Sequence, residues 1–435
     1  MSMLIIGGLV SATTVWASGG EKNRSRLLLP LKTPGEHDED GIRFVCPARQ
    51  LQEIKVGMLS TFESLGIATG FVEVFERPGS LVYTLATAAG DTSTMDFSDR
   101  ESWGIGSEQV TLPVPGGAPA TVKTVSRKEI MLALLQHGRL TEFKGQSCRV
   151  DALSEQIALR QNIVAWAENL RWRWPDGGPA AWNDAYWDRG TPKPGVSLQI
   201  AFLDAFANQG LYAIGCYTAT KLVFVHGVLD YYERVREDAA LARKVEARLL
   251  SDREPLVDVE PSRAWRFEPG YDFREVSRPG KLLSLVDRVA PKNFVPGDWA
   301  YFLNPDPVSR QKTGFEGSNA IYLGGGRFDD YYGENNHSFT YEEKLDEVFQ
   351  WRNGVYNRGR DEAKRNALSG DDLERLGLPP RDGGLLQPWR IIPDTIPGIT
   401  SPTATVPVCR PRPAPVPPAR RRTRGASACG DACPC

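Results

Sequence analysis

The sequence has little of what marks three large classes of protein. Its 435 residues carry 52 basic and 54 acidic side chains, and a net charge of −2 excludes a chain that is basic throughout, as many nucleic-acid binders are. No run of about 18 apolar residues occurs, which argues against a membrane-spanning helix. Four histidines leave few imidazoles for catalysis or for metal binding. We therefore expect neither nucleic acid nor a membrane span among its partners.

Cysteines are few and fall into two groups. Those of the body of the chain and those of its end are Cys46, Cys148 and Cys216, and Cys409, Cys429, Cys433 and Cys435. The odd total of seven argues against a fully paired secreted framework. The terminal spacing is not a standard zinc spacing, and no histidine lies near it. We expect no metal and no other cofactor.

Composition divides the chain into three parts. Residues 1–150 contain short β-like runs separated by turn residues, and a helix is predicted from Arg127 to His137 after Ser126 as a possible N-cap. They predict a β-rich extension without a recognisable chemical motif. Residues 151–360 carry the helical and hairpin patterns that predict a core. Residues 361–435 are rich in proline, arginine and cysteine, and we expect a disordered tail. The apolar segment Met3–Ala17 resembles an export signal, although the basic residues that usually start one are missing, and it also fits a buried strand. Cytoplasmic and exported locations therefore both remain open.

The core is predicted to mix helices with an antiparallel sheet. Helical spacing follows Ser154 and Ser197, and a long helix is predicted from Cys216 to about Val235. A strand over Trp299–Leu303 precedes a second one over Ser318–Leu323. The triple glycine Gly324–Gly326 then predicts a hairpin turn, with the chain returning over Arg327–Tyr332. The fold class is α+β, with a helix-borne cysteine packed on the sheet.

Cys216 is the candidate nucleophile. At the first turn of a helix, unpaired N–H groups and the positive end of the dipole favour the thiolate. A buried cysteine that packs as a small apolar residue is the alternative. His226, ten residues further along the same helix, is about 15 Å away and cannot be its direct partner. Glu316, which we expect on the same strand side as Ser318, is the preferred base, and His337 is the second choice.

Several short motifs in one order resemble a known family. A helix-borne cysteine followed by a Pro-Gly-Asp turn, a strand and a hairpin is similar to papain-like and NlpC-P60-like cores. The narrower resemblance is to the bacterial spore-type protein-glutamine gamma-glutamyltransferases, over about residues 155–355. The segments that carry it are Leu159–Ala165, Ala185–Trp187, Tyr212–Ala219, Gly297–Pro305 and Asn319–Gly324.

The resemblance implies that a cysteine thiolate attacks a protein glutamine and that a lysine amine takes the acyl group, giving an isopeptide cross-link. The expected partners are thus proteins with exposed glutamine and lysine. Tyr217, Trp299 and Phe315 are expected to form an apolar channel that excludes water, with Ser318 beside it. Packing in the core or at its rim is the other interpretation of these aromatic residues.

Three positions depart from the family pattern. Where the family carries two glutamates and a histidine, this chain has Gly215, Ser318 and either Tyr331 or Tyr332. Three functions therefore stay open: an isopeptide-forming transferase, a papain-like cysteine hydrolase or glutamine deamidase, and a catalytically degenerate structural or binding homologue. The transferase is the preferred hypothesis.

Overall fold

The structure is a computed structural model, and it describes residues 31–32, 40–251, 283–286 and 290–393, except residues 89, 98, 115–117, 189, 291, 333–337 and 357–361. The expectations for the apolar segment Met3–Ala17, for the terminal cysteines and for His337 lie outside the described residues.

The N-terminal part is built on a mixed sheet of five strands. These are β1 (Leu31–Lys32), β2 (Ile42–Val45), β3 (Val72–Arg77), β4 (Ser80–Leu85) and β7 (Thr141–Lys144). Their order is β1-β3-β4-β2-β7, with parallel pairing at the two outer contacts and antiparallel pairing between β3 and β4 and between β2 and β4. The short β-like runs of this region are thus confirmed as strands.

Two further elements of this part are helices, and one of them was not predicted. Helix α1 (Ala48–Ser64) buries Leu51, Ile54, Met58 and Phe62, whose spacing places them on one face of the helix. Helix α2 (Arg127–Leu135) begins after Ser126, whose side chain accepts a hydrogen bond from the backbone N–H of Glu129 at 3.2 Å. Between them, β5 (Glu108–Leu112) and β6 (Ala120–Thr124) form a separate hairpin.

Four helices lie within the described residues 150–251. They are α3 (Val150–Ala167), α4 (Leu198–Ala207), α5 (Cys216–Asp230) and α6 (Ala239–Ser251), and the small strands β8 (Trp187–Asp188) and β9 (Thr191–Pro192) lie between α3 and α4. Helix α5 packs against α3, α4 and the sheet strand β12 (Gly317–Gly324). Every side chain from Tyr217 to Asp230 is buried, which is why this helix shows no polar face. It continues into a single π-helical turn, Tyr231–Val235.

The second sheet has six antiparallel strands. The remaining helices and strands of the described residues are β10 (Leu283–Val286), β11 (Trp299–Leu303), β13 (Arg327–Asp329), β14 (Phe339–Thr340), α7 (Tyr341–Gln350), α8 (Gly370–Leu376) and β15 (Leu386–Pro393). The strand order is β10-β15-β11-β12-β13-β14. Strands β12 and β13 form the predicted hairpin around Gly324–Gly326, all three of which have positive φ. The α+β class is confirmed.

Part of the segment 361–435, which is predicted as a tail, is folded in the described structure. Helix α8 and strand β15 lie within residues 361–435, and β15 pairs with both β10 and β11 in the interior of the sheet. The proline content of this region suggested an extended chain. Instead Leu376, Leu385 and Leu386 are almost fully buried, and their apolar area holds the segment against the core. The boundaries at residues 150 and 360 stay predictions.

The N-terminal sheet is fastened to the helical part by a covalent bond. Cys46, which follows β2, forms a disulfide with Cys148, just before α3, across a sequence separation of 102 residues. The hydroxyl of Thr94 also donates to the carbonyl of Phe294, which precedes β11, at 2.5 Å.

Within the described part of the chain, no helix has both the length and the apolar content that crossing a membrane requires.

Candidate active site

Cys216 is the first residue of α5, and its side chain is half-buried. Gly215 is the N-cap, with extended φ and ψ of −72° and 156°. The first turn of a helix leaves backbone N–H groups without intrahelical partners, and it is the positive end of the helix dipole. Of the cysteines in the described ranges, Cys216 is the free thiol.

The thiol lies against an open stretch of β12. Strand β13 pairs with β12 only from Ile321 onward, so the edge of β12 near Asn319 is not covered by that neighbour. The Sγ atom of Cys216 lies at this free edge of β12. It accepts a hydrogen bond from the backbone N–H of Asn319 and another from the side-chain Nδ2 of Asn319, both at 3.4 Å. The carbonyl of Gly317 lies 4.0 Å from Sγ and can accept the thiol proton.

The orientation of the Asn319 amide follows from its other contact. The indole N–H of Trp299 donates to Asn319 Oδ1 at 2.8 Å. Because an indole nitrogen only donates, the atom facing it must be the amide oxygen, and the NH₂ group must face Cys216. Asn319 is fully buried, so water does not compete for these bonds.

Two tyrosines after β13 hold the backbone around Cys216. The hydroxyl of Thr220 donates to the carbonyl of Cys216 at 2.8 Å, so the Tyr331 hydroxyl, also 2.8 Å away, is the donor to Thr220. The Tyr332 hydroxyl donates to the carbonyl of Ile214 at 2.8 Å. Tyr331 has a φ of 71°, a strained conformation for a non-glycine residue, and burial raises its pKa well above the ordinary value. It therefore acts here as a neutral hydrogen-bond donor.

A buried ammonium group contributes to the electrostatics of the site. Lys344 of α7 is 1% exposed, and its Nζ lies 2.8 Å from Glu347 Oε2 and 3.6 Å from Asp330 Oδ2. Burial alone would lower the pKa of Lys344, but the two carboxylates outweigh burial and raise it. The lysine therefore stays charged, with Asp330 and Glu347 as its counter-ions.

The pKa of Cys216 reflects all of these neighbours. Burial raises it, and this is the largest effect. The two hydrogen bonds from Asn319 and the positive charge of Lys344 lower it, whereas the negative charge of Glu316 raises it further. The net pKa lies above the ordinary value of a thiol.

The predicted base Glu316 lies in the turn before β12, which begins at Gly317. Its Oε2 atom accepts a hydrogen bond from the backbone N–H of Gly314 at 2.8 Å, and burial raises its pKa. Its charge reaches the thiol, but the direct hydrogen-bond partners of Sγ in the described structure are Asn319 and Gly317. We expected Glu316 on the same side of the strand as Ser318. Strand β12 begins at Gly317, so the alternation of side chains along a strand does not include residue 316.

Of the predicted substrate-binding residues, Tyr217 and Trp299 lie together. Their ring centroids are 5.5 Å apart, and both side chains are buried. Phe315 is also buried. Its ring packs against those of Trp174 and Tyr356, with centroid distances of 4.9 and 4.4 Å. Ser318 is buried opposite Phe302 of β11 and leaves β12 on the other face from Asn319.

Sequence reasoning missed three residues of this centre. Asn319 was recognised as part of a motif but not as a contact of the thiol, although its position next to Ser318 was a signal. Tyr331 was identified only as a replacement for a histidine. Lys344 gave no signal, because a lysine in an amphipathic helix is normally exposed.

In the part of the chain that the structure describes, no group of three histidine, cysteine or carboxylate side chains is placed to hold a metal ion.

Comparison with known proteins places these residues in a family context. Residues 119–358, more than half of the chain, match the family model described as protein-glutamine gamma-glutamyltransferase. A protein-glutamine gamma-glutamyltransferase of Bacillus pumilus is 27% identical over 248 residues, which is 54% of this chain and 84% of the relative.

A solved transglutaminase from Geobacillus stearothermophilus, without its C-terminal extension, also matches. It is 21% identical, with a TM-score of 0.34, and the match covers 55% of this chain and 91% of that one. The matched family region contains Cys216, both tyrosines, Asn319 and Lys344. The chain belongs to the protein-glutamine gamma-glutamyltransferase family.

Proposed function

We propose that this protein is a protein-glutamine gamma-glutamyltransferase that joins glutamine and lysine side chains through a thioester on Cys216. The observation that carries the proposal is the thiol itself: it starts α5, it is half-buried, and it lies against the uncovered edge of β12 within the matched region. A thiol at a helix start receives support for its thiolate form, which is the nucleophile.

The reaction has two balanced steps. In the first, the Cys216 sulfur bonds to the carboxamide carbon of a glutamine, the C–N bond breaks, and ammonia leaves with the proton that the thiol gave up. In the second, a lysine amine attacks the thioester carbon, the C–S bond breaks, and the thiol regains a proton as the isopeptide bond forms. Each tetrahedral intermediate carries an oxyanion that needs hydrogen-bond donors. Backbone N–H groups of the first turn of α5 are the candidates.

Glu316 and His337 are the proposed acid–base groups. Burial raises the pKa of the Glu316 carboxyl above its ordinary value, and a carboxylate becomes a stronger general base as its pKa rises. The proposal for Glu316 requires that its carboxylate leave the N–H of Gly314 or reach the substrate through a water molecule.

Tyr217 and Trp299 are proposed to limit the access of water to the thioester, with Phe315 and Ser318 completing the substrate site. Hydrolysis of the thioester competes with transfer to lysine, so a dry, aromatic surround favours the cross-link. We also propose that the core is papain-like and that the protein is of the spore type, as the order of its motifs implies.

Incorporation of a fluorescent primary amine into a glutamine-rich protein tests the proposal. The parent protein is expected to label that protein, and Cys216→Ala is expected to lose at least a thousandfold in rate, because no other thiol is placed at this helix start. Glu316→Gln is expected to retain the fold and to lose 10²–10⁴-fold, the range typical of a general base. Equal labelling by Cys216→Ala and the parent would contradict the proposal.

A second function is favoured by the three positions that depart from the family. Gly215, Ser318 and either Tyr331 or Tyr332 supply no carboxylate or imidazole. A lysine must lose a proton before it attacks the thioester, so without such a base water is the acceptor and the protein is a papain-like cysteine hydrolase or a glutamine deamidase. Release of ammonia without amine incorporation identifies this outcome. If the parent protein does neither, and Cys216→Ala behaves identically, the protein is a structural or binding homologue.

A further inference from the structure

Two hydrogen-bond donors from a single residue point at the Cys216 sulfur. The backbone N–H and the side-chain NH₂ of Asn319 are each 3.4 Å from Sγ. Sulfur is a large, weak acceptor when protonated, and it becomes a much stronger acceptor once it is a thiolate. A pair of donors therefore favours the ionised form over the neutral one.

The structure fixes this pair of donors before any substrate arrives. Trp299 occupies the amide oxygen of Asn319 at 2.8 Å, which leaves Nδ2 directed at the thiol. Asn319 is fully buried within β12, between its ladder partner Tyr301 of β11 and the start of α5. Donors that are already oriented cost no reorganisation when charge develops on the atom they face.

The ionisable groups around the thiol come from three other parts of the structure. Lys344 of α7 favours the thiolate, Glu316 in the turn before β12 opposes it, and Tyr331 after β13 stays neutral. Lys344 is itself balanced by Asp330 and Glu347. The hydrogen bonds of Asn319 are therefore the direct contacts that stabilise negative charge on Sγ within the described structure.

We infer that Asn319 is a catalytic residue that holds the Cys216 thiolate with two hydrogen bonds, and that Trp299 is a positioning residue that aims its amide. The assignment rests on the proposed role of Cys216 as nucleophile. When the S–H bond breaks, the proton leaves to solvent or to a base, and the electron pair stays on sulfur facing the two donors. The two donors increase the fraction of Cys216 that is thiolate at a given pH, and their hydrogen bonds weaken as the sulfur becomes a neutral thioester.

The test is the pH dependence of alkylation of Cys216 by iodoacetamide, followed by mass spectrometry of the peptide that contains it. Asn319→Leu removes one donor and keeps a similar shape. It is expected to move the midpoint of the alkylation profile upward by about one pH unit and to slow the reaction about tenfold below the midpoint, because the thiolate loses more than the neutral thiol when the NH₂ donor is removed. Trp299→Phe keeps an aromatic ring, removes the indole N–H, and is expected to give a smaller shift in the same direction.

Two further variants make the outcome decisive. Asn353→Leu is the matched control, because the Asn353 amide donates to Gln350 Oε1 at 2.9 Å and not to the thiol, and its profile should equal that of the parent. Asn319→Asp keeps the size of the side chain, removes the NH₂ donor and adds negative charge, so its midpoint should rise further still. A folded Asn319→Leu or Asn319→Asp protein with the parent's midpoint overturns the inference.

Alkylation needs no substrate, so it separates this inference from the proposed function. Shifted midpoints in a protein that incorporates no amine would support the role of Asn319 and contradict the transferase. Unshifted midpoints together with amine incorporation that requires Cys216 would support the transferase and contradict the role of Asn319.

Discussion

The two halves of α5 hold ionisable groups in opposite settings. At its start, Cys216 is half-buried and receives two hydrogen bonds from Asn319. Ten residues later, His226 is fully buried between aromatic rings, with Trp166 and Phe206 centroids each 4.2 Å away. In the described structure, neither ring nitrogen of His226 has a hydrogen-bond partner.

The unpaired imidazole is neutral at ordinary pH. Burial lowers the pKa of His226 from 6.5 to about 4, because the surrounding rings cannot solvate a positive charge. One turn further, the buried Asp230 stays charged because Asn162, Trp166 and Arg234 all donate to it. The pKa of Asp230 is lowered, since these donors and charges outweigh the opposing effect of burial.

The comparison shows that burial by itself does not identify a functional group. His226 is more deeply buried than Cys216, yet it has the environment of a packing residue, whereas the thiol has oriented donors and an accessible face. The imidazole therefore affects stability, and the thiol affects reactivity. Each of the following predictions tests one side of this contrast.

The largest expected effect is a loss of stability in acid through His226. The unfolded imidazole binds a proton below about 6.5, but the folded one resists protonation until about pH 4. Because the unfolded state binds more protons in this window, the free energy of unfolding should fall as the pH falls, by ~3 kcal/mol on reaching pH 4. Denaturant unfolding of the parent and of His226→Phe between pH 4 and pH 8 measures this difference, and the variant should lack it.

His137 provides a control of opposite sign. Burial lowers the pKa of His137, but the hydrogen bond and charge of Asp40, at 3.0 Å from Nδ1, outweigh it and the net pKa is raised. Its contribution to stability is therefore present at low pH and is lost as the pH rises through the folded pKa. His137→Gln should steepen the acid loss, whereas His226→Phe should reduce it. Equal slopes for the parent and His226→Phe would mean that the imidazole is not buried as described.

The environment of the Cys216 thiol predicts that the rate of amine incorporation increases with pH. Because burial holds the pKa of Cys216 above its ordinary value, the protonated thiol dominates at neutral pH and only the ionised fraction reacts. The rate of amine incorporation at low substrate concentration should therefore rise about tenfold per pH unit from pH 7 toward the thiol pKa. A stopped assay across pH 6–10 measures the profile, and a plateau already present at pH 7 would contradict it.

Local patterns predicted much of this architecture. The side chain of Ser126 caps α2, the glycines of Gly324–Gly326 form the hairpin turn, and Cys216 begins α5, because caps, turns and helix starts depend on residues close together in sequence. Helix α1 was not predicted, although its apolar residues are spaced for one face.

The contacts of the site required the fold. Asn319 and Cys216 are 103 residues apart, and no local pattern pairs them. The burial of Lys344 could not be read from the sequence, because one of its two counter-ions, Asp330, lies on another element and is brought near only by the fold. Strand β15 lies in a proline-rich stretch that composition alone assigned to the tail, and only its pairing with β10 and β11 reveals it as part of the sheet.

The smallest expected effect comes from placing an acid beside the thiol. A side chain at residue 215 would meet no atom within 4 Å, and the φ of −72° suits any residue, so Gly215→Glu should change the free energy of unfolding by less than about 0.5 kcal/mol. The new carboxylate, next to Cys216 in sequence, disfavours the thiolate and should raise the alkylation midpoint by a few tenths of a pH unit. Gly210→Glu is the matched control, since residue 210 also has open space and is exposed, but it lies before the segment that carries the thiol. If the two variants give the same midpoint, the side chain at residue 215 does not face the sulfur.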